Sequence, residues 1–94
     1  MTKEDLIKLP LGSYNLTDGI YDYVLHKSIL NLDDKSRVGY LIYDRQTSLS
    51  GGRIVLHEDV DLDGNITMSV SATIGGLSVH NDSSFEIINE LILK

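Results

Sequence analysis

The chain has no cysteine, no tryptophan, a single proline and a single phenylalanine. Without thiols there is no disulfide framework, no zinc knuckle and no sulfur nucleophile. Short secreted domains commonly rely on disulfide staples, so the expected location is the cytoplasm. No apolar stretch approaches the roughly 20 residues of a membrane-spanning helix, and Met1 to Pro10 holds no apolar segment of signal-peptide length. Basic residues are scarce: 8 Lys and Arg against 14 Asp and Glu give a net charge of −6. Tracking a phosphate backbone needs a basic stripe, so direct nucleic-acid binding is not expected. Acidity of this kind instead favours solubility, or a protein partner with a basic surface.

What is present is enough for one domain spanning 1–94, with 41% hydrophobic and 23% charged residues. A chain of this size buries roughly two-thirds of its unfolded surface, so its core is real but thin. Thr2 to Leu9 reads as a short helix, with Thr2 as N-cap, Asp5 three residues on, and Pro10 as its stop. Ser13 to Leu16 is a strand candidate closed by Asp18-Gly19, a turn signal. Ile20 to Leu32 is ambiguous: Tyr21, Tyr23 and Leu25 alternate as in a strand, while Leu25, Ile29 and Leu32 also fit helical spacing. Arg37 to Asp44 carries Val38, Tyr40 and Ile42 on one face and Leu41 and Tyr43 on the other, the pattern of a central strand.

Asn65 to Ile74 alternates without an error, which predicts a half-buried strand with Ile66, Met68, Val70, Ala72 and Ile74 inward. A three-residue loop, Asp63-Gly64-Asn65, pairs Leu62 with Ile66, Val60 with Met68, Leu56 with Ala72 and Ile54 with Ile74, apolar against apolar. Such a loop wants a positive φ at Asn65. In this register Glu58 falls on the apolar face opposite Val70, where it needs a partner or an upward pKa shift, unless a β-bulge turns it outward. Leu77 to His80 reads as a short strand. Ser83 to Glu86 matches a capping box and opens a helix with Phe85, Ile88, Leu91 and Ile92 on one face.

Candidate sites are few. Asp59, Asp61 and Asp63, followed by Gly64, resemble the opening of a calcium loop, but Val70 stands where a bidentate glutamate belongs, and strand precedes it where a helix is required. Ser50, Gly51, Gly52 and Arg53 offer backbone N–H groups and a guanidinium to a phosphate, without the Walker lysine or glycine spacing. His26, His57 and His80 show no metal-ligand spacing, and no catalytic residues are assigned. Tyr21, Tyr23, Leu41 and Tyr43 form the expected partner-binding set, since a second apolar face in so small a chain needs cover from its own helices or from another chain.

The expected fold is α+β: an antiparallel sheet of four to six strands, with a short N-terminal helix and a C-terminal helix packed on it. The expected function is non-enzymatic binding and modulation of a protein partner, with self-association into a homodimer or higher, and no cofactor. In size and charge alone the chain resembles the small acidic inhibitors that phages use against host defences, an analogy of class. The alternative is an oligomeric binder of a nucleotide-like small molecule through the Ser50 to Arg53 loop and the tyrosines. A calcium-binding hairpin or an enzyme ranks below both.

Overall fold

A computed structural model describes residues 1–32, 35–46, 52–75, 86 and 88–94. Helix α1 (Lys3–Lys8) precedes strands β1 (Gly12–Thr17), β2 (Asp22–Leu32), β3 (Lys35–Asp44), β4 (Gly52–Val60), β5 (Ile66–Gly75) and β6 (Ile92–Leu93). The strands form one antiparallel sheet in the order β5-β4-β3-β2-β1-β6. β1 to β5 are a meander of neighbours, and β6 returns to the far edge beside β1. The fold is mostly β. No described helix is long and apolar enough to cross a membrane.

Alternation decides the two faces. Leu16, Tyr23, Leu25, Tyr40, Ile42, Ile54, Leu56 and Met68 lie on one face and are buried. Leu6 of α1, with Ile88 and Leu91 near the C-terminus, closes over them. The ambiguous stretch therefore resolves as strand from Asp22 onward, because its Tyr23, Leu25 period belongs to this face.

α1 is as short as its sequence signals imply. Thr2 Oγ1 accepts from the Asp5 N–H at 3.2 Å and Asp5 Oδ2 accepts from the Thr2 N–H at 2.9 Å, a reciprocal capping box. Six residues are too few for a helix to hold itself in water, so packing and end contacts must hold it. Lys27 supplies them. It sits on the core face of β2, 6% exposed, and its Nζ donates to the carbonyls of Leu6 at 2.7 Å, Ile7 at 2.9 Å and Leu9 at 2.7 Å. These carbonyls lie at the negative end of the helix dipole, where intrahelical partners run out; that of Leu6 also accepts from the Leu9 N–H at 3.3 Å and the Tyr40 hydroxyl at 3.1 Å.

The expected C-terminal helix is met only in part. Glu86, Ile88 and Asn89 are helical and Ile88 and Leu91 are buried, but the helical turn ends before Leu91, and Ile92 is 62% exposed in β6. Ile92 pairs with Thr17 and Leu93 with Leu16, so the end of the chain extends the sheet. Ser83 to Phe85 of the proposed capping box, and the Leu77 to His80 strand, lie outside the described residues.

The β4–β5 hairpin keeps the expected faces for Ile66, Met68 and Val70 but changes register by two, and beyond a bulge the positions of Ala72 and Ile74, expected inward, fall in register with Val55 and Arg53 of the other face. Val60 pairs with Ile66, Glu58 with Met68 and Leu56 with Val70, so the loop is Asp61 to Asn65. Asp61 Oδ1 accepts from the N–H groups of Asp63 and Asn65, both at 2.9 Å. The positive φ falls on Gly64 at 83°, in place of Asn65. A slip of two preserves alternation, so the hydrophobic pattern does not distinguish these registers, and the Asp61 turn decides between them. A bulge then adds one residue to β5 opposite the Val55/Leu56 step. Beyond it Ala72 pairs with Val55, and Ile74 with Arg53, which replaces the predicted partners Leu56 and Ile54.

Candidate protein-binding face

The other face of the sheet is built by the alternate residues: Val24 and His26 on β2, Leu41 and Tyr43 on β3, Arg53, Val55 and His57 on β4. All are half-buried, and no described element packs over them in the way α1 packs over the core. Register makes them one patch, because Val24 pairs with Tyr43, which pairs with Arg53, and His26 pairs with Leu41, which pairs with Val55. The patch thus has aliphatic side chains at its centre and polar groups around it, the anatomy of a protein interface.

Two hydrogen-bonded chains order this face. Ser13 Oγ lies 2.6 Å from His26 Nδ1, and His26 Nε2 lies 3.1 Å from the Tyr43 hydroxyl. The His26 and Tyr43 rings are 5.6 Å apart at 39°. Tyr43 is therefore fixed on the central strand of the patch, beside Leu41, by a histidine that is itself fixed by β1. A general base for Ser13 would need a carboxylate to orient the far nitrogen of its imidazole, and that nitrogen faces Tyr43. At the other end of β4, Asp59 takes Arg37 on Oδ1 and His57 on Oδ2, both at 3.0 Å.

Of the four residues expected to bind a partner, the structure brings Leu41 and Tyr43 together and separates the other two. Tyr23 is 8% exposed in the core, and its hydroxyl proton is held more tightly by burial and by the Asp18 carboxylate. Tyr21 is 52% exposed in the β1–β2 turn, before β2 begins. Ser50 and Gly51 lie outside the described residues, while Gly52 and Arg53 are strand positions on β4. The three aspartates of the calcium reading are engaged separately: Asp59 with Arg37 and His57, Asp61 with its own turn, and Asp63 through its backbone to Asp61.

Glu58 faces the core, one of the two placements the sequence left open, opposite Met68 in place of Val70, and the bulge lies on β5 at a distance from it. It accepts from the Tyr40 hydroxyl, and its Oε2 lies 3.9 Å from Lys27 Nζ, which also sits 5.2 Å from the Tyr40 ring centroid. Burial first, then the Glu58 contact, pushes the Tyr40 hydroxyl strongly toward its protonated form. Burial lowers the Lys27 pKa, and Glu58 opposes that shift. This triad anchors α1. Of the six residues of this triad and the Ser13–His26–Tyr43 chain, the sequence singled out Glu58 and Tyr43 but not their partners, because the members stand 13 to 31 positions apart and meet only through strand pairing.

Comparison with known protein families, with curated proteins and with solved structures finds no match for this chain.

Proposed function

We propose that this chain is a small, non-enzymatic protein-binding module that acts in the cytoplasm and modulates what it binds, inhibition included, through the face centred on Leu41 and Tyr43. The observation that carries the reading is Tyr43 itself. It is an aromatic side chain already held in place by His26 and Ser13, set among half-buried Val24, Leu41 and Val55. Tyrosine anchors of this kind dominate interface energetics, and fixing one in advance removes an ordering cost from binding.

The test is site-specific photo-crosslinking in the producing cell, with the reactive group at position 41 or, as a control, at Ile20, an 81% exposed turn residue away from the face. Protein adducts from position 41 that disappear in Tyr43→Ala support the reading. Adducts of equal yield from both positions overturn it.

A further inference from the structure

Resting on that reading, we infer that the occupant of this face is a second copy of the chain, packed face to face about a two-fold axis. Charge is the first argument. The molecule carries −6, so two copies repel over most of their surfaces. The acidic strand positions on this face are Asp22 and Asp59. Each is already paired, Asp22 with Lys94 at 2.9 Å and Asp59 with Arg37 at 3.0 Å. With Arg53 on the same face, the acidic excess lies elsewhere. Here two identical acidic molecules can close without confronting like charge.

Size and polarity agree. The four long strands β2 to β5, each roughly 30 Å or more, with the shorter β1 and β6 beside them at about 4.8 Å spacing, present about 700 Å², close to the roughly 800 Å² per partner of a standard interface. Along β4 the face begins with Arg53 and ends with Asp59. A two-fold axis crossing the strands at the level of the Tyr40–Leu56 pair exchanges these ends. Each Arg53 then meets the carboxylate of the other copy's Asp59. The same operation lays Tyr43, in register with Arg53, over the other copy's Arg37, whose guanidinium is already held by Asp59. Guanidinium over an aromatic ring is a favourable contact. The product is a two-sheet sandwich with the α1 layers outside.

Light scattering coupled to gel filtration at micromolar concentration should give twice the 10.4 kDa chain mass. Leu41→Asp should weaken association about 100-fold or more, as for a central anchor, with an unchanged circular dichroism spectrum. Arg53→Glu and Asp59→Arg should each be monomeric alone and should re-form a dimer when mixed, because the swapped charges then face each other. A wild-type monomer, or a dimer indifferent to Leu41→Asp, overturns the inference. If the wild type is monomeric while position 41 still crosslinks to another protein, self-association falls and the binding reading stands. If both signals are missing, both fall.

Discussion

Lys27 is a charged side chain inside a thin core, and such a group persists only where its donors and its charge are both answered. Its three donors meet three carbonyls at the end of α1, and Glu58 answers the charge. Lys27→Met should therefore cost about 3 kcal/mol or more, since it takes the ammonium from the Ile7 and Leu9 carbonyls and leaves Glu58 without its cation. Urea unfolding measures it, and an unchanged midpoint would show that the clamp holds nothing. Tyr40 gives a pH signature. Its folded pKa is raised above 10, so its contribution is fully present below pH 10 and is lost as pH rises beyond it, while the unfolded chain ionises. Tyr23 acts in the same direction. Lys27, with its pKa lowered, acts oppositely below pH 10.5. Tyr40→Phe should flatten the alkaline arm of stability by up to about 1.4 kcal/mol per pH unit, and arms of equal slope would refute that assignment.

Between elements, Leu30 of β2 packs closely over Gly39 of β3 on the open face. A Cβ there would lie 2.3 Å from Leu30 Cδ1 and 2.7 Å from Leu30 Cγ. Gly39→Ala should cost about 1–3 kcal/mol, as overpacking does, and Leu30→Ala should relieve it in a double-mutant cycle. Additive losses would mean that Leu30 simply swings away. In the hairpin, Met68→Asp sets a carboxylate beside Glu58 at a buried site and should cost about 3 kcal/mol or more. Exposed Thr67→Lys should change stability by under about 0.5 kcal/mol, and similar losses from both would contradict the face assignment. Local chemistry wrote α1 and its cap plainly in Thr2, Asp5 and Pro10, and period-two alternation wrote β3 and the first half of β5. The two-residue register change and the bulge left the alternation of Ile66 to Ile74 intact, so the sequence carried no trace of either. Lys27 reads as a solvent residue until β2 is laid under α1. Of the open face, Leu41 and Tyr43 were legible as neighbours from their place opposite Val38 and Tyr40. His26 and Ser13 were not, because pairing between β1 and β2 brings them together.

For the whole molecule, the two sheet edges differ. β6 is two residues long and ends beside Lys94, whereas β5 runs from Ile66 to Gly75 with no charged residue. Among the described residues β5 pairs only with β4, and long uncharged edges template further pairing. At neutral pH the net charge of −6 opposes such growth. Near pH 4.7 that charge vanishes, while the fold should persist. Asp5 and Asp18 hold the helix cap and the β1–β2 turn, and hydrogen bonds from backbone N–H groups, of Thr2 to Asp5 and of Tyr21 and Ile20 to Asp18, keep both carboxylates ionised below the usual range. Their stabilising effect is present above the unfolded carboxylate pKa and fades only as pH falls through the lowered folded values. Folded molecules should therefore associate edge to edge near the isoelectric pH, through β5. Thr67→Lys, on that edge and opposite Asp59, should suppress the rise in static light scattering when each protein is held at its own isoelectric pH. Ile20→Lys adds the same charge in a turn away from the edge and should leave the rise in place. Equal suppression by both variants would assign the effect to net charge alone and remove β5 from it.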